Sequence, residues 1–178
     1  NLKSDDYMGN PRKLRKLYEK PKKLWDKHRI EEENALQQDF GLKNKRELWR
    51  MQTIIRKLRR EVRRLLSKKG KDVEARTQRV LARVKRFLLN KQDATLDDLL
   101  NLTVRDILAR RLQTVVVSKK MASTIRQARQ YIVHGHVALE GRRITAPSYL
   151  VNFNEEDKLN WYKQPISGTA ATPATVKA

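Results

Sequence analysis

Cysteine is absent from the chain, which excludes disulfides, Cys-ligated zinc and a thiol nucleophile, so order has to come from packing and from a partner. Aromatic residues are scarce at 6% and do not form the paired platforms on which a single-strand reader stacks successive bases. No apolar run approaches the ~18 residues of a membrane helix, and no signal-type segment stands near the start. A soluble, cytoplasmic chain without membrane partners is expected. Hydrophobic residues make up 39%, enough for modest cores, with further order expected on binding.

Positive charge is what the sequence has in excess. Forty-one Lys and Arg face twenty Asp and Glu across 178 residues, a formal net charge of +21. Such a surplus repels itself unless a polyanion neutralises it, and nucleic acid is the first candidate. The excess is concentrated. Residues 43–71 hold thirteen basic and two acidic side chains, a net +11, far beyond what solubility requires. Residues 9–27 hold eight basic and two acidic residues with two prolines and no sustained apolar period, so a basic arm is expected over 1–27. Met8-Gly9 resembles a natural start, which would make residues 1–7 an extension.

Helical periodicity follows the arm. A first helix is predicted over 26–42, with Ile30, Leu36 and Phe40 as its apolar contacts and Glu31, Glu32 and Glu33 as a solvated face or partners for nearby Arg. Asn44 can cap a second helix with Glu47 at its third position, and Leu48, Met51, Ile55, Leu58, Val62 and Leu65 then recur at spacings of three and four, up to Gly70. On a helical wheel that stripe covers roughly 100° of arc, with Arg46, Lys57, Arg60 and Arg64 nearly opposite. One face packs and the other is cationic. A third helix opening near Asp72 carries the matching stripe Val73, Val80, Leu81, Val84, Phe87 and Leu88, so an antiparallel pair is predicted. Thr95-x-x-Asp98 and Thr103-x-x-Asp106 have cap spacing, the second leading into a helix from Val104 to about Val117.

From Thr124 the pattern shortens. A helix to His134 turns Ile125, Ala128 and Ile132 inward and stops at Gly135. The period then becomes two: residues 136–139, the turn Glu140-Gly141 and residues 142–144 read as a tight hairpin. Residues 154–157 signal a turn before a strand through Leu159, Trp161 and Tyr162. The predicted organisation is a basic arm (1–27), a helical domain (28–103), a small mixed module (104–162) and a disordered tail (163–178). The fold class is α+β, with two helices of the module packed on a twisted antiparallel sheet.

The stretch ARQYIVHGHVALEGRRITAPSYLV, residues 128–151, resembles the RNA-binding module named after the fourth protein of the small ribosomal subunit. The module is shared with some pseudouridine synthases, a tyrosyl-tRNA synthetase appendage and heat-shock RNA binders. Ala128-Arg129-Gln130, His134-Gly135-His136, Glu140-Gly141 in place of the usual Asn-Gly, and Pro147-Ser148 stand at family spacing. Arg110-Arg111-Leu112 also matches, although Gln113 stands where many members have Asp. MGNPRKLRKLYEKPKKLWD, residues 8–26, resembles the archaeal start of the same ribosomal family. The resemblance implies direct binding to small-subunit rRNA, nucleation of assembly at a multi-helix junction, and a contribution to translational accuracy. It also implies a position near the channel by which messenger RNA enters, with mRNA, the fifth small-subunit protein and other small-subunit proteins as neighbours.

Side-chain chemistry agrees with that expectation. Duplex RNA hides its base edges in a deep, narrow groove, so proteins address its shape, phosphates and 2′-hydroxyls. Arg126, Arg129 and Gln130 can project together from the face opposite Ile125, Ala128 and Ile132, presenting guanidinium and amide donors. His134 and His136 offer donors where helix meets strand, and of Arg142 and Arg143, expected to face opposite ways, one should reach solvent or RNA. With Arg12 and Arg15 on the arm, Arg46, Lys57, Arg60 and Arg64 on the long helix, and Arg110, Arg111, Lys119, Lys120, Gln127 and Ser148 in the module, these residues make up the expected RNA-contacting set.

No catalytic residue, metal site or cofactor is expected. His134-x-His136 has no Cys or convergent carboxylate to complete a metal set, and Asp97 and Asp98 sit where carboxylates favour a helix dipole. Three alternatives stay open. A ribosome-biogenesis factor of the same family would bind small nucleolar RNA and precursor rRNA, an enzyme bearing the module would need a separate catalytic domain with an essential Asp, and a general DNA binder would treat duplex DNA and rRNA alike.

Overall fold

A computed structural model describes residues 17–67, 70–89 and 94–163. Arg12, Arg15, the proposed extension at 1–7 and the tail from 164 onward lie outside the described residues.

The first helix, α1 (Lys27–Asp39), has little amphipathic pattern; Leu36 and, just past its end, Phe40 pack against Leu48, Met51 and Ile55 as expected, and its other anchors are polar. Glu33 is buried; its Oε1 accepts from Arg29 at 2.6 Å and from the Trp49 indole at 3.1 Å, with Lys45 3.8 Å from Oε2. Glu31 and Glu32 stay exposed beside Lys27 and His28. Gly41, at φ +56°, turns the chain after α1, and a Cβ there would lie 2.6 Å from Ile125 Cγ2. Close approach and left-handed backbone both demand glycine.

Asn44 caps α2 (Lys45–Leu66), its side chain accepting from the Glu47 amide at 3.2 Å. Leu48, Met51, Ile55, Val62 and Leu65 are buried and Leu58 is half-buried, so the predicted stripe faces the core. After Gly70 the chain returns as α3 (Lys71–Phe87). Val80 and Val84 meet Val62 and Leu65, while Leu88 reaches the cluster around Ile55, as two helices running back along one another require. Thr95 opens α4 (Leu96–Asn101) with a reciprocal cap to Asp98, which adds Leu99 and Leu102 to the same cluster. The spacing of cap residues marks that start correctly.

The helix expected from Val104 to Val117 is two helices, α5 (Val104–Ala109) and α6 (Leu112–Ser118). Arg111 between them is extended, at φ −69° and ψ 142°. Its stretch pairs with a strand-like segment far along the chain: the Leu112 amide donates to Tyr149 O at 2.8 Å and the Val151 amide to Arg110 O at 2.9 Å. Two nonlocal backbone bonds outweigh continuation of the helix, and periodicity contains no sign of them. Ile107 and Leu108 of α5 pack on α2 with Leu48, Met51 and Ile55.

Thr124 caps α7 (Ile125–Val133), which buries Ala128 and Ile132. The hairpin is as predicted: β1 (Val137–Leu139) and β2 (Arg142–Arg143) are antiparallel around Glu140 and Gly141, at φ 51° and 78°, the pair of positive values that a two-residue primed turn needs. Residues expected as a plain turn form instead a single-turn helix, α8 (Phe153–Glu156), because Glu155 reaches back to the Asn152 amide at 3.0 Å and side chain at 2.6 Å. β3 (Leu159–Trp161) then pairs antiparallel with β1, making the order β2-β1-β3. Central β1 is wholly buried, and Val137 and Leu139 join Leu112, Val115, Val116, Ala128, Ile132, Val151 and Leu159 in the core of the module. The architecture is α+β. Among the described residues no helix is long and apolar enough to cross a membrane.

Candidate nucleic-acid interface

The expected cationic set divides into residues that hold the fold together and residues left free to meet a ligand. Arg111 belongs to the first group. It is fully buried, and its Nη2 donates to Glu47 Oε2 at 2.9 Å. Arg129 of α7 donates to Glu47 Oε1 at 2.9 Å and lies 3.4 Å from Gln113 Oε1. Gln113, also buried, donates to Ile125 O at 2.9 Å and Gly41 O at 3.3 Å. One carboxylate on α2 thereby ties the helical part to both helices of the module. Burial works against charge on Glu47, but the Arg129 hydrogen bond and the Arg111 charge outweigh it and hold its pKa below the ordinary value. With a neutral Gln at position 113, Glu47 is the anion to which Arg129 turns.

Arg110 is likewise engaged. It pairs with Glu156 at 2.7 Å, donates to Val151 O at 3.1 Å, and stacks 4.1 Å over the Phe153 ring. Lys119 donates to the Glu156 carbonyl. Gln127 accepts from Ser123 and donates to the Tyr131 hydroxyl at 2.6 Å, stapling the start of α7. Arg110, Arg111, Lys119, Gln127 and Arg129 therefore serve internal contacts in this conformation, Arg111 through its Nη2 alone. Arg126, Arg129 and Gln130 do not project as the expected trio, because Arg129 is drawn to α2 while Arg126 and Gln130 stay exposed.

The free cations are on α2 and at the rim of the module. Arg46, Lys57, Arg60 and Arg64 are exposed, and none has a hydrogen-bond or ion-pair partner among the described residues. Arg50 and Arg63 share that state, although the sequence pattern did not single them out; on a helical wheel Arg50 lies about 20° to 80° from the chosen cations and Arg63 about 60° to 120°. Among the described residues the face is crossed once. Thr53, on the same side, is buried because the arm lies over it: the Glu19 amide donates to Thr53 Oγ1 at 3.0 Å, Glu19 pairs with Arg56 at 3.3 Å, and Tyr18 rests 6.0 Å from the Trp49 ring. Beyond the crossing, Arg56, Arg59, Arg60, Arg63 and Arg64 line one shallow depression of about 430 Å³. A second, of about 890 Å³, brings Lys43 at the start of α2 beside Arg126 of α7.

At the far side of α7, His134 and His136 stack with ring centroids 6.3 Å apart, and Tyr131 meets His136 and Trp161 edge-on. Arg143 lies over Gly135, where a Cβ would come 2.6 Å from its Cδ. Both Arg142 and Arg143 are exposed rather than one of them, since β2 is a two-residue edge strand. Lys120 is exposed at φ 57°, and Ser148 is half-buried. Among the described residues no group of His, Asp and Glu could hold a metal ion.

Helices packed on a small three-stranded sheet, with Arg, Gln and His left outward, define a nucleic-acid-binding module rather than a pocket for chemistry, and residues 110–157 match the S4 domain family. The chain as a whole is 44% identical over 155 residues to small ribosomal subunit protein uS4 of Methanothermobacter thermautotrophicus, covering 87% of this chain and 91% of that one. It is 46% identical to the uS4 proteins of Methanococcus aeolicus, covering 86% and 88%, and of Saccharolobus solfataricus, covering 87% and 86%. The chain belongs to the uS4 family of small ribosomal subunit proteins.

Proposed function

We propose that the chain binds small-subunit rRNA directly, as a structural component of the small ribosomal subunit in the cytoplasm. In that role it grips a multi-helix junction early in assembly, and later lies beside the fifth small-subunit protein near the channel by which messenger RNA enters, where it contributes to accuracy. The observation that carries the reading is the row of unpaired arginines on α2 next to a rigidly attached S4 domain. Glu47, shared between Arg111 and Arg129, sets the distance between Arg60 at one end and Arg126 at the other, and a fixed span suits an RNA whose helices are themselves fixed. Each phosphate met by a free cation releases counterions, so affinity should fall with salt at about 0.7 to 0.9 per contact. Filter binding of the full chain to small-subunit rRNA fragments and to duplex DNA at equal salt tests the proposal. Preference for the junction fragment is expected, and equal affinity for any duplex would refute it.

A further inference from the structure

Where the start of α2 faces the module, a cavity of about 420 Å³ is lined by Asn44, Arg46 and Arg50 from α2, Arg111 from the α5–α6 break, Ser148 from the segment before α8, and Tyr18 from the arm. We propose that this cavity takes a phosphate group, and that in the assembled particle the group is a backbone phosphate of the RNA. The identification of the source rests on the function proposed above; the anion site itself does not.

Four observations converge on an anion. Arg111 is wholly buried, yet its Nη1 and Nε have no hydrogen-bond partner, a costly state for a guanidinium unless a further acceptor arrives. Arg46 and Arg50 are exposed on successive turns, with no partner among the described residues. The lone carboxylate on the wall, Glu47, is already shared between Arg111 and Arg129, so its charge is spent within the protein. Finally, α2 is 22 residues long, and its N-terminal end carries the positive pole and free amides that favour a phosphate. Cation crowding is visible at Arg111, whose pKa is lowered by burial and further by Arg129 and Arg50, against the pull of Glu47. A phosphate would relieve that crowding. Ser148 supplies a hydroxyl donor, brought beside Arg111 because the segment that follows it pairs with the α5–α6 break.

The site reads geometry as well as charge. Its walls come from the arm, the long helix and the S4 domain, so a phosphate seated there touches three parts of the chain that are far apart in sequence. Arg60 and Arg64, at the other end of α2, share a depression with no wall from the module, where the half-buried Arg59 is already held by the Leu102 carbonyl, and serve as a control for general attraction.

The test uses the full chain and the variants R46A/R50A and R60A/R64A, each first checked for unchanged melting in chloride, since all four side chains are exposed and unpaired. In the first arm, melting is followed in inorganic phosphate and in chloride at equal ionic strength. Phosphate should raise the melting temperature of the wild type and of R60A/R64A, and R46A/R50A should lose most of that rise. An equal rise in all three, or none in the wild type, overturns the site. In the second arm, R46A/R50A should bind the rRNA junction fragment about fivefold more weakly for each phosphate left without its arginine, near 0.15 M salt, and inorganic phosphate should compete with RNA for the wild type more strongly than for this variant. An abolished phosphate effect with unchanged RNA affinity would assign the cavity to free phosphate and overturn the RNA source. A wild type that ignores rRNA altogether would sink the proposed function while the first arm still decides the anion site.

Discussion

Replacing Glu47 by Gln should loosen the joint between the long helix and the S4 domain more than any other single change of similar size. Arg111 is 0% exposed and has no other acceptor among the described residues, so losing the carboxylate strands a buried cation. Breaking a buried ion pair from one side costs about 3 to 5 kcal/mol. Because the Glu47 and Arg129 side chains keep 20% and 23% of their surface in solvent, the lower end, about 3 kcal/mol, is expected. For a chain of this length that corresponds to a fall in melting temperature of roughly 6 to 12 °C. Arg111→Met is the informative counterpart. It removes the buried charge and leaves Glu47 with Arg129, so it should cost about 1 kcal/mol or less. Melting of the two variants without RNA, at neutral pH and fixed salt, is the assay. If Glu47→Gln melts with the wild type, or if Arg111→Met is the more damaging, then the ion pair does not hold the two parts together and the reasoning fails.

The same physics separates two arginines only three residues apart. Arg126→Ala with Gln130→Ala should weaken binding to an rRNA junction by about 1.5 to 3 kcal/mol for each charged hydrogen bond removed without changing the melting curve, whereas Arg129→Ala should lower the melting temperature; the reverse pattern in filter binding and melting would disprove the division. Gly141→Ala, with open space around it at φ +78°, should cost about 1 to 2 kcal/mol of backbone strain, and Gly41→Ala more, because its Cβ would also meet Ile125 Cγ2 at 2.6 Å; urea unfolding compares them. Acid should act through Glu47. Its folded pKa is depressed, so its contribution is complete above the ordinary Glu value and is lost as pH falls through the folded one; the acid-induced drop in melting temperature should therefore be smaller in Glu47→Gln than in the wild type.

Local pattern was enough for much of this molecule. The stripe on α2, the caps at Asn44, Thr95 and Thr103, and the turn at Glu140-Gly141 each depend on residues within one or two helical turns of each other, so spacing alone reveals them. The broken helix at Arg110-Arg111 was not legible, because its cause is a pair of backbone hydrogen bonds to residues 149 and 151. Likewise, no sequence window shows the arm lying over Thr53.

Among the site residues the divide falls in the same place. Charge density and helical phase established from the sequence alone that one face of α2 would be cationic, since an exposed side chain answers chiefly to its own helix. Which arginines are free was a tertiary decision. Arg110, Arg111 and Arg129 have the same chemistry as Arg60 and Arg126, but folding brings Glu47, Glu156 and Gln113 within hydrogen-bond reach of them, across separations of 46 to 82 residues for the carboxylates. A cation turns inward only where an acceptor waits for it, and the place of that acceptor is a property of the packed chain.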